Sequence, residues 1–198
     1  MGLVTVVSGT NRKGSMTFHV STLIRDLLTE KGVEVKLLDL QNLPPDFLFT
    51  ALYGNKNELF EQILSDYIYS SSKVVLVSPE YNGGFSGILK SFIDGWNPRK
   101  LSGQKVALVG VASGRSGNLR GLDYLTIVCH YMKMPVYFDK VPVSRVGELG
   151  NEAEGIHDEG TKSGDDAIRV LSSDGLEVTI DLSVLFKVRA TEAPRILK

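Results

Sequence analysis

The sequence predicts an α/β fold, a doubly wound parallel sheet of five strands with helices on both faces. Three observations carry that expectation. Through about residues 1–140, short apolar runs rich in β-branched residues alternate with segments of helical periodicity. The first of these runs, Leu3–Val7, is apolar and β-branched, as a strand covered on both sides requires. Strand and helix alternate five times with short links, which implies a parallel sheet with right-handed crossovers.

The elements follow in order. Leu3–Val7 is the first strand, and Val20, Leu23, Ile24, Leu27 and Leu28 then repeat at helical spacing, with Gly32 at the C-cap position. Val33–Leu40 is the second strand, and Pro44-Pro45 closes regular structure after it. Leu59, Phe60, Ile63, Leu64, Tyr67 and Ile68 mark the second helix. Val74–Val77 is the third strand, stopped by Ser78-Pro79, and Ile88, Leu89, Phe92, Ile93 and Trp96 form the next helical stripe. Val106–Val111 is the fourth strand. A helix through Leu122, Leu125, Val128 and Cys129 leads past Pro135 to a fifth strand, Val136–Phe138.

This rhythm defines a first domain over residues 1–146, and residues 147–198 depart from it. Residues 147–166 are rich in Gly, Glu and Asp without periodicity and read as a linker or loop. Ile168 and Val170 then precede the turn signal Ser173-Asp174-Gly175. From Leu176 to Val188 apolar and mostly polar residues alternate, the pattern of a half-buried hairpin arm. A doubly wound domain would close here with a helix, and no such pattern is legible.

Composition narrows the function. The 198 residues carry 22 Lys+Arg against 23 Asp+Glu, a net charge of −1, which gives no basic footprint for nucleic acid and no acidic surface for long-range docking. No run approaches the ~18 apolar residues of a membrane helix. There is no signal-peptide pattern, and one cysteine, Cys129, forms no internal disulfide, so a reducing, cytoplasmic setting is expected. His19, His130 and His157 lack metal-ligand spacing, and no metal site is expected. Cys129 reads as a core hydrophobe, Trp96 as core or interface, and Asp165-Asp166 as a solvated charge pair.

In a sheet of this class ligands bind at the carboxyl ends of the strands. The first such loop, Ser8–Thr17, combines glycines, hydroxyls and Arg12 at a helix start, where backbone N–H groups and the helix dipole favour a phosphate. Gly9 and Gly14 have the P-loop spacing, but Ser15-Met16 stands where Lys-Ser/Thr is required, which favours a single phosphate monoester over a nucleoside triphosphate. The alternative is an ordinary strand-to-helix turn capped by Ser15. The second loop, Ser78–Gly87, offers backbone amides and Tyr81 to a flat heterocycle, with Gly83-Gly84 permitting positive φ. Its alternative is a turn feeding a helix capped by Ser86. The third, Ala112–Asn118, lies at the same edge, so three loops converge on one ligand.

The runs Gly9-Thr10-Asn11-Arg12-Lys13-Gly14-Ser15 and Pro79-Glu80-Tyr81-Asn82-Gly83-Gly84, followed by Leu89-Lys90 and Asp94, resemble the NADPH-dependent FMN reductase family over about residues 1–145. That family includes quinone, azo-dye and chromate reductases. The resemblance implies a flavodoxin-like fold with FMN bound and NADPH or NADH as reductant. Carried over, Thr10, Arg12, Ser15, Met16 and Thr17 hold the phosphate. Pro79, Glu80, Tyr81, Asn82 and Gly83 line the isoalloxazine, and Ser113, Gly114 and Arg115 stand at its other edge. It also implies a homodimer or homotetramer with a small acceptor: a quinone, an azo compound or a second flavin.

Hydride transfer needs stacked rings and not a protein nucleophile, so no catalytic acid or base is assigned. The alternatives are a flavodoxin-like electron carrier or FMN-binding module without turnover, and a scaffold without flavin. Residues 174–181, Asp-Gly-Leu-Glu-Val-Thr-Ile-Asp, are similar to a strand of prohibitin/stomatin (band-7) domains. The tail is expected to cover the sheet or to mediate oligomer contacts.

Overall fold

A computed structural model describes residues 2–54, 57–101 and 103–147, and the backbone of 167–171 and 177–181. The chain divides into two units, Met1–Val146 and Gly147–Lys198. The first unit is built on five parallel strands: β1 (Val4–Ser8), β2 (Val35–Asp39), β3 (Lys73–Pro79), β4 (Lys105–Val111) and β5 (Val141–Val143), in the order β2-β1-β3-β4-β5. This is the doubly wound order, with the chain reversing direction across the sheet beside β1 and β3. All five residues of β1 are buried, and so are Val74–Pro79 of β3. Successive side chains of a strand point to opposite faces, so burial of every residue means that both faces are covered.

Helix α1 (Met16–Glu30) starts at Ser15, whose side chain accepts from the Phe18 amide at 3.1 Å. The short α2 (Phe47–Thr50) follows Pro44-Pro45, so the prolines open a helical turn rather than ending regular structure. Helix α3 (Glu58–Ile63) continues as a π-helical turn, Leu64–Tyr69. Helix α4 (Gly87–Asp94) buries Leu89, Phe92 and Ile93, and α5 (Leu119–Tyr131) buries Leu122, Leu125 and Cys129. Burial pushes the Cys129 thiol up to about 12, so it stays protonated and unreactive as part of the core. Trp96, just past α4, is 4% exposed and belongs to the core rather than the surface.

Two strand expectations need correction. Ser78-Pro79 does not stop the third strand: both residues pair with β4, opposite Gly110 and Val111. Proline is tolerated there because β1 has already ended, its Ser8 lying opposite Val77, while Glu80 donates to Val111 across the β4 side. The fifth strand is not Val136–Phe138. Val136 makes one isolated bridge to Val106, Phe138 is 78% exposed, and the ladder resumes at Val141–Val143 opposite Val109–Val111. Two residues lie between Val106 and Val109 but four between Val136 and Val141, so the chain bulges out at residues 138–140. Lys140 is held there by Asp123 at 2.5 Å.

In the second unit β6 (Ala167–Leu171) and β7 (Glu177–Asp181) pair antiparallel, Ala167 opposite Asp181 and Leu171 opposite Glu177. This is the expected pairing of two hairpin arms. The turn at Ser173-Asp174-Gly175, the continuation to Val188, the linker, His157 and Asp165-Asp166 lie outside the described residues. Among the described residues no helix is long and apolar enough to cross a membrane, and no group of three His, Cys, Asp or Glu could hold a metal.

Candidate functional site

Three loops leave the carboxyl ends of β1, β3 and β4, and side chains tie them to one another. The β1 loop, Gly9–Ser15, leaves the sheet tight against the central strand. A β-carbon on Gly9 would sit 2.6 Å from the Val77 carbonyl oxygen, so only glycine lets the chain pass there. The Gly9 carbonyl accepts a hydrogen bond from Ser86, the N-cap of α4. Thr10 has no exposed surface, and its hydroxyl oxygen takes the Arg12 amide at 3.2 Å and lies 2.7 Å from the Tyr81 phenol.

The β3 loop contains a two-residue turn. Asn82 and Gly83 both have positive φ, 52° and 77°, while Tyr81 and Gly84 exchange backbone bonds of 2.9 and 3.1 Å. That is a type I′ turn, and Asn-Gly is the pair that adopts it at least cost. Positive φ therefore falls on Asn82-Gly83, one residue before the expected Gly83-Gly84. The β4 loop is fastened at two points. Ser116 donates to Glu80 at 2.7 Å, and the Asn118 amide donates to the Ser78 and Pro79 carbonyls at 3.0 and 2.9 Å. Asn118 is fully buried and left-handed, with φ 66°.

The sequence-assigned residues fall into place unequally. Thr10, Ser15 and Thr17 are buried beneath the first loop, Met16 is half-buried, and Arg12 is exposed with no ion-pair partner among the described residues. The amides of Lys13, Gly14, Ser15, Met16 and Thr17 have no partner among the described residues. Five free N–H groups at a helix start, in a loop that also carries the exposed Arg12, form a donor set suited to a phosphate monoester.

Pro79 is buried, Glu80 half-buried, and Tyr81 and Asn82 exposed, with Gly83 at the turn. Ser113, Gly114 and Arg115 are exposed, and the Gly114 carbonyl takes the Arg145 amide at 3.0 Å, so this stretch is braced against the chain after β5. Sequence reasoning missed Ser116 and Asn118 and gave Ser86 only a capping role. An Asn immediately before an apolar helical stripe was the available signal for Asn118.

The family model described as NADPH-dependent FMN reductase matches residues 3–147. The chain belongs to that family. This FMN reductase is 30% identical over 164 residues to an NADPH azoreductase of Bacillus sp. (strain OY1-2), covering 77% of this chain and 85% of that protein. It is 24% identical to a 2-hydroxy-1,4-benzoquinone reductase of Burkholderia sp., over 75% of this chain and 84% of the relative.

The solved structure of an apo NADH:FMN oxidoreductase superposes with a TM-score of 0.63 at 18% identity, covering 79% of this chain and 84% of that one. A flavoenzyme NAD(P)H:(acceptor) oxidoreductase from Paracoccus denitrificans superposes at 0.59 and 19%, over 79% and 93%. Both confirm the flavodoxin-like fold. This FMN reductase is thus an oxidoreductase with FMN as its flavin and NAD(P)H as reductant.

Proposed function

We propose that the three-loop cluster is the FMN site and that the acceptor is a quinone, an azo compound or a second flavin. Residues 1–146 form the FMN-binding domain, and 147–198 an appendage to it. The observation that carries this reading is the set of unpaired amides at residues 13–17 beside Arg12, joined through Thr10 to the Tyr81 turn. Thr10, Arg12, Ser15, Met16 and Thr17 form the phosphate end. The helix start faces the dianion with its free N–H groups, and Arg12 forks onto two of its oxygens.

Pro79, Glu80, Tyr81, Asn82 and Gly83 line the isoalloxazine, with Ser113, Gly114 and Arg115 at its other edge. When bound, FMN supplies two-electron transfer from NAD(P)H to the acceptor. The protein orients the ring, and the backbone of the β3 loop tunes it by hydrogen bonds. A preorganised loop binds at lower entropic cost than a loose one, and the cross-links to Ser86, Ser116 and Asn118 provide that order.

The test is the visible spectrum of the purified protein with FMN, before and after NADPH under nitrogen. Flavin bands should appear and then bleach. Flavin that binds but stays oxidised favours an electron carrier, and absence of binding refutes the site. Arg12→Ala should weaken FMN about ten- to a hundred-fold, the loss of one charge-assisted phosphate contact. An unchanged dissociation constant would remove Arg12 from the site.

The protein acts in the cytoplasm as a homodimer or homotetramer. The chain has a single cysteine, Cys129, which is buried, and so does not rely on an internal disulfide, in keeping with a reducing compartment. Helix α5 exposes Tyr124, Ile127 and Tyr131 along one side, and Ile127 and Tyr131 border a hollow of about 480 Å³ against α4. An apolar stripe of this kind marks an interface. Ile127→Asp should therefore lower the mass seen by sedimentation. A monomeric wild type, or an unshifted variant, would count against α5 as the contact.

A further inference from the structure

We infer that Tyr81 is a positioning residue for the phosphate end of the site and sets the preference for FMN over riboflavin. The inference rests on the flavin-site reading above but departs from it at one residue. The sequence assigns Tyr81 to the ring. In the structure its phenol instead meets Thr10, 71 positions earlier and inside the phosphate loop, at 2.7 Å.

The geometry explains what that contact does. A hydroxyl oxygen has two lone pairs and one proton. The Thr10 oxygen already takes the Arg12 amide at 3.2 Å, a bond spanning two residues that shapes the turn into Asn11, Arg12 and Lys13. The phenol shares that hydroxyl's remaining hydrogen bond at 2.7 Å, and either oxygen can be the donor. Thr10 has no exposed surface, so its service is to hold the backbone that presents Arg12 and the free amides. Tyr81 holds Thr10 in turn, fixing the rotamer on which the Arg12 bond depends.

Tyr81 can do this because it is itself fixed. It is the first residue of the type I′ turn, bonded in both directions to Gly84. The two loops are joined again on the far side, where Ser86 donates to the Gly9 carbonyl. The phosphate loop is thus clamped at Gly9 and at Thr10 by the loop that carries the ring contacts. Loosening the second clamp affects the ligand group that the first loop binds and leaves the ring contacts in place.

The experiment titrates Tyr81→Phe and the wild type with FMN and with riboflavin, which share ring and ribityl chain and differ only in the phosphate. Removing one hydroxyl should weaken FMN about three- to ten-fold more than it weakens riboflavin. In a Thr10→Val background the same change should have no further effect, because its partner is gone. Equal weakening of both flavins would place Tyr81 at the ring alone and overturn the inference. So would no change in either, or independent effects of the two substitutions. A wild type that binds neither flavin, or both alike, would refute the phosphate-loop reading itself, an outcome distinct from these.

Discussion

Phe92→Ala is expected to destabilise the first unit by about 3–5 kcal/mol, the range for truncating a buried aromatic. Phe92 has no exposed surface. Its ring meets Phe60 edge-on at 6.0 Å and 87° and Trp96 at 5.5 Å and 86°, while Phe60 stacks on Phe47 at 5.3 Å. Edge-to-face pairs add about 0.5–1.5 kcal/mol beyond the area they bury, and truncation loses two of them.

Against a total stability of about 5–15 kcal/mol the loss is about a fifth at the least. The melting temperature should fall by about 6–20 °C. Phe92→Leu, which fills most of the space but loses both ring pairs, should cost less than the alanine variant. A fall of less than ~3 °C for the alanine variant would mean that the aromatic cluster is not the keystone of this side of the core. Because α4 begins at Ser86, which clamps Gly9, the alanine variant should also bind FMN more weakly near its melting temperature and normally well below it.

The parts of this molecule legible in its sequence are those whose causes are local. β1 declares itself because Val4, Val6 and Val7 are apolar on both faces, and α1 because Ser15 caps it and Val20, Ile24 and Leu28 repeat at helical spacing. The β1 loop is legible for the same reason, since its glycines, hydroxyls and Arg12 are contiguous. The fifth strand is not. Val136-Tyr137-Phe138 has the composition of a strand, whereas Val141-Pro142-Val143 carries a proline that speaks against one. The sheet order decides otherwise: β5 is an edge strand, where a missing N–H on the outer side costs nothing.

The cross-links between loops are equally hidden. Thr10–Tyr81 spans 71 residues and Glu80–Ser116 spans 36, and only the parallel topology places those pairs at one edge. The composition of Tyr81's neighbourhood points to a ring contact, and a local pattern does not show that the Thr10 hydroxyl lies within hydrogen-bond reach of the phenol.

Asn118→Asp is expected to cost about 3–5 kcal/mol near neutral pH and to abolish FMN binding, with a deficit that shrinks as the pH falls. Asn118 is fully buried, and its amide nitrogen donates to two backbone carbonyls at the end of β3. An aspartate there has no donor when ionised, so it faces both carbonyls as an unpaired buried charge, and breaking such an arrangement costs several kcal/mol. Burial favours the neutral acid and raises its pKa in the folded state above the unfolded value of about 3.9.

Between those two values the folded protein binds the extra proton and the unfolded chain does not, so the deficit grows with rising pH across that interval. Urea unfolding at pH 5 and pH 8, referred to the wild type at each pH, should show the larger loss at pH 8. Asn118→Gly provides the control, because it keeps the left-handed backbone without strain, loses the two hydrogen bonds and introduces no charge. Its smaller loss should not vary with pH. An aspartate variant with the same deficit at both pH values, or one as stable as the glycine variant, would show that the Asn118 side chain is not what pins the β3 loop to the β4 loop.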